Sequence, residues 1–289
     1  MQIPLSTAAA VGDDQGHGVL EIAPDLAYKR LAIVNVAFYG APGGADGSWT
    51  LVDAGLPGTA STIISAAKGR FSGEGRPAAI VMTHGHFDHV GALVTLAEQW
   101  QVPIYAHPLE LSYLDGRRSY EPPDPKVGGG MMSLMSPLFP LGPIDVSRWL
   151  TALPEDGSVP TMPGWRWLHT PGHAPGHVSL WRISDRSLLA GDAFITTKQE
   201  SAYAAAMQTV EMHGPPMYFT PDWISAKRSV EALAQLEPER AVTGHGRAVA
   251  GEALKISLHA LADRFDEVAV PDHGRYVPVR HDNGERKIE

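Results

Sequence analysis

Six consecutive residues within Thr83-His-Gly-His-Phe-Asp-His-Val90 carry three imidazoles and a carboxylate: His84, His86, Asp88 and His89. Such density suits a transition-metal ion, which takes several nitrogen and oxygen donors at once. His84 and His86 are two apart and can face one side of an extended turn, while Asp88 and His89 open the next element and can face another. One cluster needs distant partners to complete a cage. The chain offers them in His173 of Thr-Pro-Gly-His, Asp192 of Ala-Gly-Asp and His245 of Thr-Gly-His-Gly. Each lies beside Gly, which lets backbone come close to a crowded centre. The chain has 13 His and no Cys, so imidazoles and carboxylates are the donors left for such an ion.

Each candidate follows a stretch that reads as a strand, and groups at a strand's carboxyl end project into a loop where they can converge. The pattern predicts strands over 19–22, 33–38 and 49–52, a helix over 59–68, and a buried strand over 78–82 that ends where His84 begins. A helix from about 90 to 100 and a strand over 103–106 follow. Strands return over 165–168, 177–183 and 187–190. Thr220 with Pro221 predicts a helix start running to about 236, then a strand over 240–243 and a helix over 252–268. Strands, helices, strands, helices without strict alternation indicate an α+β fold, with two sheets face to face and helices outside. No regular period fits 121–143. It reads as a loop crossing into the core, or as an apolar lid in which flexible Met residues adapt to a ligand.

Composition removes several classes. At 289 residues, 44% hydrophobic and 19% charged, with no apolar run near about 18 residues, the chain is neither disordered nor membrane-spanning. Gly and Pro together fill 54 of 289 positions, 30 and 24 respectively, which implies short elements and many turns. A net charge of −9 without a basic run argues against a nucleic-acid partner. Without Cys there is no disulfide, thiol catalysis or iron–sulfur site. Residues 1–15 lack a basic and an apolar region of signal-peptide type, so the expected location is cytoplasmic.

The His-Gly-His-Phe-Asp-His segment, followed by Thr-Pro-Gly-His, Gly-Asp and Gly-His-Gly at spacings of 84, 19 and 53 residues, resembles the metallo-β-lactamase-fold hydrolase superfamily. The resemblance covers about residues 19 to 260. It implies a four-layer αββα sandwich with the site at one edge of the two sheets. It also implies that His84, His86 and His173 hold one metal, that Asp88, His89 and His245 hold a second, and that Asp192 bridges them. Asp53, in Leu-Val-Asp-Ala-Gly, matches a supporting acid that orients a ligand His, and His177 matches a supporting His. His107 resembles a non-ligand position, and His169 also flanks the ligand segment. His17, His213, His259, His273 and His281 are unassigned. The expected organisation is an N-terminal segment over 1–18, a catalytic domain over 19–270 and a tail over 271–289.

Five imidazoles and two carboxylates suit two divalent ions of the zinc type, with iron or manganese as alternatives. Such a pair can share a solvent molecule whose pKa falls toward about 7, so that a bridging hydroxide attacks a polarised carbonyl while Asp88 passes a proton to the leaving group. The resemblance narrows the reaction. The lack of Cys together with the presence of Asp192 moves β-lactam hydrolysis down, and no flavodoxin-like or large inserted domain fits. Hydrolysis of a small ester, lactone or thioester remains. A single-iron dioxygenase of the persulfide type on the first three His is the alternative. A neutral, apolar small-molecule substrate fits the Met-rich 131–139 segment, with Phe87, Phe194, Met131 and Met135 as pocket candidates. No membrane or nucleic-acid partner is expected, and a homodimer is possible.

Overall fold

The computed structural model describes residues 3–14, 18–207, 209–280 and 286–287. His17 and His281 lie outside them, as do parts of the two expected terminal segments. After the short strand Ile3–Pro4 (β1) comes a mixed eight-stranded sheet, paired in chain order. Its strands are Asp13–Asp14 (β2), Leu20–Ala23 (β3), Leu26–Leu31 (β4), Val34–Tyr39 (β5), Thr50–Val52 (β6), Ala79–Val81 (β7), Ile104–Ala106 (β8) and Leu150–Ala152 (β9). A five-stranded sheet follows, ordered Trp165–His169 (β10), Val178–Arg182 (β11), Ser187–Gly191 (β12), Arg240–Thr243 (β14) and Val249–Ala250 (β15). Glu211–Met212 (β13) pairs with β1 instead.

Successive side chains leave opposite faces of a strand, and that alternation builds the layers. In the first sheet Val36, Phe38, Leu51 and Ile80 point outward, onto Ala60–Arg70 (α1) and Leu93–Trp100 (α3), which bury Ile63, Ala66, Ala67, Leu93, Leu96, Ala97 and Trp100. Their neighbours Ala37, Val52 and Val81 point inward, against Val178, Leu180, Leu189 and Val242 of the second sheet. Leu188, Ala190 and Ala241 leave that sheet's far face and meet Trp223–Ala234 (α7) and Glu252–Asp263 (α8). Central strands covered on both faces read as continuous apolar runs for this reason. The fold is the expected αββα sandwich. Among the described residues no helix is long and apolar enough to cross a membrane.

The structure departs from expectation at identifiable places. β4 was not expected, because Lys29 and Arg30 interrupt its apolar pattern, and its turn to β5 puts Ala32 in the left-handed region (φ 58°) without an Asn-Gly signal. β9 is three half-exposed residues. The helix expected from about residue 90 starts earlier, as Phe87–Val90 (α2), and breaks at Gly91, whose amide is taken by the Gly55 carbonyl at 2.7 Å. Asp222, not Thr220, caps α7, accepting from the Ser225 amide at 3.0 Å. The 121–143 stretch contains Met131–Met135 (α5) and a 3-10 turn. Within the expected N-terminal segment, Ile3, Leu5 and Ala9 are buried in the outer core of the second sheet.

Arg182 ties the two halves together. Its guanidinium reaches Asp185 within the second sheet at 2.7 Å and Asp25 at the β3–β4 turn at 2.6 Å, and lies 5.0 Å above the Trp165 ring. Burial opposes ionisation of Asp185, but the Arg182 and Ser187 hydrogen bonds outweigh it and hold the carboxyl below its usual value. Arg182→Met is expected to lower the unfolding free energy by about 1–3 kcal/mol at pH 7, read by urea denaturation. The depressed Asp185 pKa contributes stability above its unfolded value of about 3.9 and loses it as pH falls through the folded one, so the gap between variant and parent should narrow below about pH 4.

Candidate metal centre

Parallel pairing brings the chemistry to one edge. β6 and β7 run parallel, as do β12 and β14, and the groups that follow these strands meet at one edge. Asp53 follows β6, Thr83 and His84 follow β7, Asp192 follows β12, and Gly244 and His245 follow β14. The turn between β10 and β11 supplies His173 and His177. Asp53 sits in the left-handed region (φ 61°), a strained backbone of the kind found at functional sites. It accepts the Thr83 amide and hydroxyl and the His89 Nδ1–H, each at 2.8 Å.

The seven expected ligand residues converge. Donor atoms of His84, His86 and His173 lie within 4.8 Å of one another, as do those of His84, His89 and Asp192, and those of Asp88, His89 and His245. All seven are buried. Asp192 links the groups: its Oδ2 is 3.3 Å from His173 Nε2 and 3.1 Å from His245 Nε2, and its Oδ1 is 3.5 Å from His89 Nε2. Asp88 Oδ2 is 3.4 Å from His245 Nε2.

Hydrogen bonds at the far side of each ring set which nitrogen faces inward. His245 Nδ1–H donates to the Ile33 carbonyl at 2.7 Å and His89 Nδ1–H to Asp53. The Thr220 hydroxyl gives its proton to the Pro216 carbonyl and so accepts from His173 Nδ1 at 3.2 Å. The Thr83 hydroxyl gives its proton to Asp53 and accepts from His84 Nδ1 at 3.0 Å. Each ring therefore turns a lone pair on Nε2 toward the centre. His86 presents Nδ1, 2.9 Å from His173 Nε2.

Three of these inward atoms, His84 Nε2, His89 Nε2 and Asp192 Oδ1, are buried without a hydrogen-bond partner in the protein. Orphaned donors of this kind, aimed at one point, fit a cation. A side chain at Gly244 would overlap Asp192 Oδ1 and crowd His89 Cε1 at 2.8 Å, filling the space the donors enclose. Burial pushes the Asp192 carboxyl up, but facing His245 and His89 it ends well below the usual range. Burial opposes charge on His89 too, yet Asp192 and Asp53 raise it well above the ordinary imidazole value.

Other histidines separate from the cluster. His177 spends both nitrogens on the protein: Nδ1–H donates to the Thr170 carbonyl at 3.1 Å, and Nε2 accepts the Asp192 amide at 2.8 Å. Burial drives it down to about 3, so it stays neutral while fixing the backbone that carries Asp192. His107 stacks on His169 at 4.3 Å away from the ligands. His213 pairs with Glu211 and His259 with Glu237.

Sequence reasoning missed three supports. The buried Glu110 carboxylate accepts the Gly85 amide at 2.9 Å, the Gly176 amide at 2.8 Å and the Tyr120 hydroxyl, bolting the His84–His86 loop to the His173–His177 turn. The Asn35 side chain donates to the carbonyls of Thr243 (2.9 Å) and Gly246 (2.7 Å), bracketing His245. Thr220 looked like a helix cap. A buried carboxylate three residues after His107 was the available signal for Glu110; nothing marked Asn35.

The expected pocket residues scatter. Phe194 is wholly buried in the core beneath α7 and α8, so it packs rather than lines a pocket. Met131 and Met135 are 57% and 42% exposed on α5, turned outward instead of onto a ligand wall. Phe87 stacks on Phe139 at 5.0 Å. The cleft that opens on His86 and His173 is walled by Tyr113, Tyr120, Tyr218, Phe219 and Tyr276.

The model of the metallo-beta-lactamase superfamily matches residues 31–245. The probable metallo-hydrolase YflN of Bacillus subtilis (strain 168) is 47% identical over 249 residues, 86% of this chain and 94% of that protein. The probable metallo-hydrolase YybB of the same organism is 31% identical over 199 residues, 69% and 76% respectively. Among solved structures, TTHA1623 in a di-iron-bound form matches with TM-score 0.51 at 23% identity, covering 84% of this chain and all, 100%, of that one. MEM-A1, a subclass B3 metallo-beta-lactamase from a soil metagenome library, matches with TM-score 0.57 at 18% identity, covering 89% and 96%. At these identities the two structures share the fold with this chain.

Glu110→Gln would set an amide where two loop amides converge, so competitive chelator titration should find metal affinity down about 10- to 100-fold; unchanged affinity would make Glu110 a packing residue only. Burial and the His169 ring hold His107 down to about 4. A lowered histidine costs stability as pH falls from about 6.5 toward its folded value. His107→Gln should therefore gain in Tm relative to the parent between pH 7 and pH 4.5, with no such gain above pH 7.

Proposed function

Because this chain is a metallo-hydrolase of the metallo-beta-lactamase superfamily, we propose that it cleaves an ester, lactone or thioester of a small molecule with two divalent ions. The convergence of three donor groups through Asp192 supports that reading above all. We assign His84, His86 and His173 to one ion, Asp88, His89 and His245 to the other, and Asp192 to both. Zinc suits five imidazoles and two carboxylates, and iron and manganese suit them too; TTHA1623, a fold neighbour, is described in a di-iron-bound form.

When bound, such ions polarise a carbonyl and lower the pKa of coordinated water. The chain's own residues do the remaining work. Asp53, Thr83, Thr220 and the Ile33 carbonyl hold the imidazole protons on the outer nitrogens, so the inner lone pairs stay available. Asp53, as a carboxylate behind His89, makes that imidazole a stronger donor. We assign Asp88 the proton that passes to the leaving group: it is buried beside His245 and near the cleft residue Tyr218. Burial, Asp88 and Glu200 push the Tyr218 phenol well above its ordinary value, so it stays protonated.

A second reading keeps one ion only. The His84, His86 and His173 group is complete by itself, as a single-iron dioxygenase acting on a thiol-derived substrate would need.

Elemental analysis should return about two equivalents of metal per chain, and chelation should abolish hydrolysis of an ester, lactone and thioester set, with activity returning on metal addition. Asp192→Asn should lower kcat at least about 100-fold and weaken binding of both equivalents. A set that stays uncleaved at full metal content sinks the hydrolase reading, and a single iron with oxygen uptake establishes the other.

A further inference from the structure

We propose that the aromatic cleft beside His86 and His173 is the subsite for the acyl group of the substrate, that it selects a flat, uncharged group, and that residues 274–276 complete it. This rests on the hydrolase reading above and names the substrate class of that site.

The rings set the shape. Tyr113 and Tyr120 lie parallel, centroids 4.0 Å apart at 5°. His86 is held between Tyr120, at 4.3 Å, and Phe219, stacked at 4.9 Å and 27°. These rings cover one another's faces, and with Tyr218 and Tyr276 they wall the cleft with ring surface beside the three-histidine group, a lining that pairs best with another flat system.

The chemistry of the wall is equally restrictive. The Tyr120 hydroxyl is committed to Glu110 and the Tyr276 hydroxyl to the Pro122 carbonyl at 2.7 Å. None of the lining residues is Lys or Arg, and Glu121 is the carboxylate at the rim. Arg118 lies over Tyr113 at 5.2 Å and Arg275 over Tyr276 at 5.8 Å, and neither guanidinium lines the cleft. A carboxylate carried on the acyl group away from its carbonyl would leave water among apolar ring surfaces beside Glu121, so groups uncharged at that end are favoured.

Tyr276 comes from beyond the last core helix, and three contacts seat it. The Arg275 amide donates to the Asp124 carboxylate, the Tyr276 hydroxyl reaches Pro122, and the Asp124 amide donates to the Tyr218 carbonyl at 2.9 Å. Residues 274–276 thus grip the segment that also positions Tyr218, and Tyr276, within the expected 271–289 tail, walls the cleft.

The test uses the metal-loaded full chain and S-ethyl thioesters, since a chain without Cys leaves a thiol reagent to report product alone. Rates are normalised to hydroxide-catalysed cleavage of each thioester. The thiobenzoate should exceed the thiocyclohexanecarboxylate about tenfold in kcat/KM, and the 4-carbamoyl thiobenzoate should exceed the 4-carboxy one by about as much. Glu121→Gln should narrow the second gap about two- to fivefold. Tyr276→Ala should erase the flat-ring preference through KM at unchanged metal content, and Tyr276→Phe should restore it.

Equal rates for flat and puckered acyl groups, or a preference that survives Tyr276→Ala, overturns this inference while leaving the hydrolase reading intact. Failure to cleave any of these thioesters or the matching methyl esters, with two ions bound, defeats both.

Discussion

Buried lone pairs that face one another repel, and buried polar atoms without partners lose their hydration for nothing. The centre of this protein collects both costs: five imidazoles and two carboxylates crowd together, and His84 Nε2, His89 Nε2 and Asp192 Oδ1 among them are left unpaired by the polypeptide. Nothing local in the 84–89 loop would hold such an arrangement. The surrounding fold must impose it, and the structure is best understood as the apparatus that does so.

That apparatus is a second ring of hydrogen bonds anchored in the sheets. Asp53 grips Thr83 and His89, Asn35 brackets His245, His177 carries the Asp192 amide, and Glu110 joins the two loops bearing His84, His86 and His173. Each anchor is buried, where a hydrogen bond is strong because no water competes. Each also depends on strand register. Val52 opposite Val81 sets Asp53 beside Thr83, and Gly191 opposite Thr243 sets Asp192 beside Gly244. A slip of one residue would turn every inward side chain outward, so the three apolar layers guard the metal site as much as they stabilise the fold.

What the sequence made legible follows from range. The ligand segments were readable because each packs its chemistry into three to six residues beside Gly at the end of an apolar run, and the sandwich was readable from those runs. Asn35 was invisible because its partners lie more than 200 residues away, at Thr243 and Gly246. Thr220 was misread because a hydroxyl before Pro has a good local use as a helix cap, and the tertiary partner, His173, won it. Phe194 and the exposed methionines were misplaced because apolar composition does not say which way a side chain points. Tyr218 lies 26 residues beyond Asp192, and the 3-10 turn over Met217–Phe219 delivers it to the cleft.

The two sides of the centre are chemically unequal, and the inequality points outward. Asp53, Asp88 and Asp192 lie with His89 and His245 toward the seam between the sheets, while the cleft meets His86 and His173. With Asp192 shared, an ion on the three-histidine side would meet one carboxylate, and an ion on the other side would meet two, Asp88 and Asp192. On the proposed reading, positive potential would be greater on the side where the cleft opens, while the apolar rings and Glu121 decide what a group reaching past the carbonyl carries. Such an arrangement directs a polarisable carbonyl toward the three-histidine group and keeps the carboxylates behind it, where a departing group's proton can be supplied.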